Sequence, residues 1–194
     1  MTTYGRADLI RTAGAAAAAA AVGITAAGRH TAAQAKPSAE QDREVLNLLL
    51  LVEQTESAFY AQALETGRLT GEMAEFAEVV AGHEREHVAF LREQLGSAAR
   101  AEPAYEFGEA VRDPAQFART AARLEDIAVA AYNGQAANVT PAAFEAAARI
   151  VSVEARHAAW IRAIDDRDPA PDATDAPQTA DEVREALREI GARP

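Results

Sequence analysis

Two stretches of this 194-residue chain share one order of residue types: Glu84-Arg85-Glu86-His87-Val88-Ala89-Phe90-Leu91-Arg92 and Glu154-Ala155-Arg156-His157-Ala158-Ala159-Trp160-Ile161-Arg162. In each, a glutamate stands three residues before a histidine. On an α-helix, positions i and i+3 lie on one face, about 5–6 Å apart at Cβ, so the carboxylate and the imidazole can close on one metal ion from the same side. A lone pair at this spacing also suits an ordinary exposed helix face. Two pairs, each followed by the same small, aromatic, aliphatic, arginine order, point to metal chemistry.

The doubling extends upstream. Glu53 is followed seven residues later by Tyr60, and Glu125 seven residues later by Tyr132. Seven residues return a straight helix to within about 20° of its starting direction, so each glutamate shares a stripe with its tyrosine. The interval from Glu53 to Glu84 nearly equals that from Glu125 to Glu154, which describes two helical hairpins carrying the same arrangement of ligands. Four carboxylates aimed into a helical core are costly unless cations or protons compensate them. Divalent metal held by Glu53, Glu84, His87, Glu125, Glu154 and His157 is the expected solution; a cluster without metal, held by protons and arginines, is the alternative.

Neighbouring residues take plainer roles. Glu56 falls on the inward stripe one turn from Glu53, but its counterpart in the second half is Ala128. It reads as an acceptor behind the ligands or as a partly solvated side chain. Tyr60 and Tyr132 read as core rings whose hydroxyls need a partner, and a carboxylate ligand can be that partner. His83 has no glutamate at the matching distance and is expected to face sideways. Arg85, Glu86 and Arg156 are flank charges, while Arg92 and Arg162 occupy equivalent places, solvated or paired with carboxylates at the bundle end.

Helical rods must position these residues. Leu46, Leu49, Glu53, Glu56, Tyr60 and Leu64 recur at spacings of three and four, predicting a first helix over about 41–66 that Gly67 ends. Met73, Phe76, Val80, Glu84, His87 and Leu91 make the same stripe on a second, closed by Leu95 and Gly96. Residues 97–113, broken by Pro103, Gly108 and Pro114, form the longest connection, with room for a short turn of helix. A third helix is predicted over about 114–137, with Phe117, Ala121, Leu124, Glu125, Ala128 and Tyr132 inward. Thr140-Pro141 offers a cap and first-turn proline for the fourth, where Phe144, Ala147, Val151, Glu154, His157 and Ile161 face in until Asp165 to Pro169 stop it. Residues 169–178, rich in proline, alanine and aspartate, read as a flexible linker. Thr179-Ala180-Asp181-Glu182 resembles a capping box opening a last helix to about Ile190.

Composition narrows the chemistry. The sequence has no cysteine, which excludes disulfides, thiolate metal sites and iron–sulfur ligation and leaves oxygen and nitrogen donors. A formal charge of −11 excludes the basic stripe of a nucleic-acid surface. Residues 1–35 stand apart: Arg6 and Arg11 precede an alanine- and glycine-rich run from Ala13 to Ala27, and Ala33-Gln34-Ala35 places small residues where a signal peptidase reads. This resembles an export signal, and Arg6-Ala7-Asp8-Leu9-Ile10-Arg11 looks like a twin-arginine signal with Ala7 in place of the second arginine. An uncleaved membrane anchor competes, although the run falls short of the roughly 20 apolar residues that spanning takes. The expected domains are therefore 1–35, signal or anchor; 36–168, the bundle; and 169–194, linker and short helix.

At these residues the chain resembles the ferritin-like superfamily, and more closely the exported ferritin-like domain proteins related to desiccation-associated proteins. The resemblance covers about Gln41 to Asp165 and rests on the set of one Glu from each of two helices and a Glu-x-x-His from each of the other two. It implies an all-α four-helix bundle of two antiparallel hairpins joined by a long crossover. It also implies that Glu84 and Glu154 bridge two metal ions, with Glu53 and His87 completing one side and Glu125 and His157 the other. Carboxylate and imidazole donors suit two iron ions, or alternatively manganese, that share the electrons needed to reduce oxygen or peroxide. The leading expectation is a di-iron oxidase or peroxidase that oxidises ferrous iron and protects an exported compartment. A non-catalytic stress module with metal as a structural staple and a dimanganese catalase are the alternatives. A homo-oligomer is compatible with all three.

Overall fold

The computed structural model describes residues 36–193, so the expected export signal or anchor lies outside the described residues. Helix α1 (Ala39–Glu65) opens where extended Ser38 accepts a hydrogen bond from the Gln41 N–H at 3.2 Å, with Glu40 and Asp42 at the positive end of the helix dipole. It begins two residues ahead of the expected Gln41. Gly67 (φ 62°) then turns the chain in a conformation that suits glycine. Helix α2 (Gly71–Leu95) returns antiparallel and ends at Gly96 (φ 55°).

The crossover of residues 96–113 holds two short 3-10 turns, Gly96–Ala98 and Gly108–Val111, and a two-residue strand β1 (Ala104–Tyr105). This strand pairs antiparallel with β2 (Ala192–Arg193), Ala104 opposite Arg193 and Tyr105 opposite Ala192. Two residues are too few to show a period, so nothing in the sequence announced the ribbon.

Helix α3 (Pro114–Gln135) is capped by Asp113, whose carboxylate accepts from the Gln116 N–H at 2.8 Å. Helix α4 (Pro141–Ile164) starts after Thr140, which occupies the cap position without capping. Its hydroxyl and N–H instead donate to the two oxygens of Asp42 at 2.6 and 2.8 Å, fastening the starts of α4 and α1 together. Helix α5 (Ala180–Ile190) has the expected capping box of Thr179 and Glu182. It lays Val183, Leu187 and Ile190 against α1 and α3.

Helices α1–α4 make the all-α bundle, with α1 packed along α2 and α3 along α4. Phe59, Phe76, Phe117, Leu49, Leu91 and Leu124 lie fully buried, and Phe59 stacks on Phe117 with ring centroids 5.3 Å apart. Phe144 departs from its expected inward place and is 48% exposed. It stands in the first turn of α4, where the bundle runs out of neighbours, and its ring lines the rim of an apolar cavity of about 120 Å³ bounded also by Leu46, Leu49, Tyr132 and Val151. Among the described residues, no helix is long and apolar enough to cross a membrane.

Candidate metal centre

All six expected ligands converge. Glu53 comes from α1, Glu84 and His87 from α2, Glu125 from α3, and Glu154 and His157 from α4. The four carboxylates have no exposed surface, and His157 is 3% exposed. His87 keeps 12% of its side chain open. One donor atom each from Glu53, Glu84, His87 and Glu154 lies within 4.8 Å of the others, and the same holds for Glu125, Glu154 and His157, so Glu154 belongs to both groups.

The ring nitrogens show what the arrangement is suited to. His87 Nδ1 lies 2.9 Å from Glu154, 3.1 Å from Glu53 and 3.2 Å from Glu84. His157 Nδ1 lies 3.3 Å from both Glu84 and Glu154 and 3.4 Å from Glu125. One imidazole nitrogen carries one proton, so it cannot serve three carboxylates. Glu84 Oε1, Glu125 Oε2 and Glu154 Oε1 accordingly come within ion-pair reach of an imidazole but accept no hydrogen bond of proper geometry. A cation between each nitrogen and its carboxylates would satisfy them all. The donor set, four carboxylates and two imidazoles, fits iron or manganese.

The tyrosines cross between the halves. Tyr132 donates its hydroxyl hydrogen to Glu53 Oε1 at 2.6 Å, and Tyr60 donates to Glu125 Oε1. Because Tyr60 follows Glu53 on α1 and Tyr132 follows Glu125 on α3, the exchange runs α1 and α3 antiparallel and fixes one oxygen of each carboxylate. The predicted need of these hydroxyls for a carboxylate partner is met.

Electrostatics without metal follow from burial and crowding. Burial, then the charges of Glu154 and Glu84, push the Glu53 carboxyl well up, although His87 opposes this. Burial pushes Glu125 up to about 8 against the pull of His157. For Glu84 burial also acts upward, but hydrogen bonds from His157 and His87 outweigh it and hold the group at about 2. Burial would lower both histidines; their carboxylate partners outweigh it and raise His87 and His157 to about 12. Burial, then the paired Glu125 or Glu53, raises Tyr60 and Tyr132, so both stay phenolic and able to donate. Protons thus sit where divalent ions would.

Two neighbours depart from their expected roles. His83 is exposed, as a sideways residue would be, yet it does more than expected: its Nδ1 lies 2.9 Å from His157 Nε2, and the rings stack with centroids 5.1 Å apart. It holds the far side of a ligand ring, as partners of metal-binding histidines commonly do. Its place four residues before His87, nearly on the same face, was the available signal. Glu56 is neither partly solvated nor an acceptor. It is fully buried, and neither of its oxygens has a hydrogen-bond partner. Arg162 is largely buried and pairs with Asp126, whereas Arg92 makes only a half-exposed contact to Glu102 at 3.6 Å.

The centre comes nearest to solvent at His87. There Glu86, Phe90, Arg149 and Ile150 line an open cavity of about 210 Å³, with the Arg149 guanidinium 4.9 Å above the Phe90 ring. Glu86, read as a flank charge, thus stands at the mouth beside a ligand.

No curated protein matches the chain. The family model for the ferritin-like domain matches residues 41–166, a stretch that contains nearly all of the four bundle helices and every residue of the centre. With that match over most of its length, and with an all-α bundle closing around the buried Glu/His cluster, the chain belongs to the ferritin-like domain family.

Proposed function

We propose that the protein is an exported dinuclear metal protein, di-iron in its working form, that oxidises ferrous iron with oxygen or hydrogen peroxide in a stress-protective role like that associated with desiccation. The observation that carries this reading is the pair of imidazole nitrogens, each facing three buried carboxylates from other turns and helices. Glu53, Glu84, His87, Glu125, Glu154 and His157 would hold the two ions. A pair of iron ions held there would supply the two electrons that reduction of oxygen or peroxide takes.

The chain's own groups do the rest. Tyr132 and Tyr60 orient Glu53 and Glu125, and His83 orients the His157 ring. Full burial of the carboxylates keeps bulk water from the centre. Glu86 at the open cavity attracts ferrous substrate, and Phe90 with Arg149 narrows the approach to His87. Export is supported by Arg6 and Arg11, the following alanine-rich run and Ala33-Gln34-Ala35.

Elemental analysis of protein purified without added metal should find about two iron ions per chain. Oxygen uptake should follow addition of ferrous iron, and Glu84→Ala should lose both signals. A parent that holds no metal and consumes no oxygen overturns the reading. The same donors accept manganese, and manganese on analysis with peroxide breakdown in the absence of ferrous iron would place the protein among catalases instead. Sequencing the amino terminus of exported protein tests the signal, with a new terminus after Ala35 as the expected result.

A further inference from the structure

Among the described residues, the carboxylate of Glu56 is a fully buried group of the bundle interior that the six-ligand reading leaves unused. Its residue has no exposed surface, and both oxygens are buried without a hydrogen-bond partner. Removing its charge by protonation would not settle it, because a carboxylic acid still carries an O–H and a carbonyl that need partners. A buried polar group without a partner in a native core calls for an explanation, and an absent ion is one.

Position says which ion. Glu56 lies between Glu53 and Tyr60 on α1, and Tyr60 reaches across to Glu125. The carboxylate nearest to Glu56 in electrostatic effect is Glu125, ahead of Glu84, Glu154 and Glu53. Glu56 stands one helical turn before Tyr60, whose hydroxyl donates to Glu125, whereas Tyr132 donates to Glu53. Glu56 therefore stands on the Glu125 side of the cluster. Glu84 has one oxygen 3.2 Å from His87 and the other 3.3 Å from His157, so the repeat supplies the two sides alike and Glu56 is a donor that only one of them has. In the other half of the repeat, the place of Glu56 is taken by Ala128, which has no donor.

We infer that Glu56 is a seventh protein ligand, which completes the metal position formed by Glu125, Glu154 and His157 and makes the two ions of the centre unequal. The inference rests on the dinuclear reading above. The two halves of the bundle then supply different sets: a position built from Glu53, Glu84, His87 and Glu154, and a second with an additional carboxylate on a free-ended side chain. The second position is the one whose occupancy Glu56 governs.

Stepwise binding of Co²⁺ to the full, metal-stripped chain tests this, because Co²⁺ reports affinity by titration and coordination number by its visible absorption. The parent should bind two ions with distinct affinities. In Glu56→Gln and Glu56→Ala one affinity should fall by about tenfold or more while the other changes by less than about threefold, and the absorption of the weakened site should intensify as its coordination number drops. Adding His157→Ala to Glu56→Ala should weaken that same position further and spare the other, whereas adding His87→Ala should cost the other ion. The metal-free Glu56→Ala variant should melt no lower than the parent, since it loses only an unpartnered group. Two ions bound by Glu56→Gln and Glu56→Ala with parental affinities and spectrum would overturn the seventh ligand and leave the dinuclear centre standing. An equal loss at both positions with a lower melting temperature would assign Glu56 a packing role and also overturn it. A parent that binds no Co²⁺ would remove the dinuclear reading and this inference together.

Discussion

Loading the centre with metal should expel about four protons per chain from the six ligands of the repeat, with a fifth from Glu56, whose carboxyl burial also pushes well up, if it too binds the metal. Without metal, the carboxylates around His87 and His157 hold both rings protonated up to about 12. Burial keeps the Glu125 carboxyl protonated up to about 8, and burial with Glu154 and Glu84 raises Glu53 well above the usual carboxylate range. A ligand must shed its proton to bind a cation, so two ions exchange for about four protons. By linkage, the product of the two affinities should rise roughly 10⁴-fold for each unit between pH 6 and 7. Titration of metal-stripped protein with Co²⁺ in weak buffer, read by an indicator dye, counts the protons directly. Release of fewer than about one proton alongside two bound ions would refute the reasoning, since the ligands would already be bare. The sign for stability follows from the same groups. Glu125 and the two histidines bind protons more tightly folded than unfolded, so their stabilisation is complete below their ordinary values of 4.5 and 6.5 and is lost as pH rises through about 8 and about 12. Glu84 runs the other way, its contribution present above 4.5 and lost as pH falls through about 2. Metal-free protein should therefore melt lower at alkaline than at mildly acid pH, and metal-loaded protein should not.

Two substitutions probe the supports. Tyr132→Phe removes the 2.6 Å hydrogen bond to Glu53 and should weaken the ion on the Glu53–His87 side about 10–100-fold in a metal titration, with Tyr60→Phe acting on the other side; unchanged affinities would show that the hydroxyls do not orient the carboxylates. Gly134→Ala places a Cβ 1.9 Å from the Gln178 carbonyl oxygen, beside the place where the Gln178 N–H donates to the Ala130 carbonyl at 3.0 Å. The gain of about 1 kcal/mol in helix propensity should be outweighed by a displacement costing about 1–3 kcal/mol, so the variant should melt lower and be cut faster within 166–179 under limited proteolysis. A higher melting temperature would refute it.

The bundle and its six inward donors were legible because the repeat states them twice. Glu84 with His87 and Glu154 with His157 sit at one helical spacing, and the Glu-to-Tyr interval of seven tied Glu53 to Glu125. All four carboxylates on these stripes are fully enclosed. What the sequence hid falls into two kinds. The β1–β2 ribbon, the Asp42–Thr140 clasp and the outward turn of Phe144 depend on chain ends meeting in space, and periodicity carries no information about that. Glu56 and His83 were hidden for a different reason. Internal symmetry ranks a residue by its likeness to a counterpart, so Glu56 opposite Ala128, and His83 without a glutamate before it, were set aside. Yet a centre that treats two ions differently must be built from residues that break the repeat. The side chains with no counterpart are therefore where the two halves of this bundle should diverge in chemistry, with Glu56 beside Glu125 and His83 behind His157 both falling on the same side.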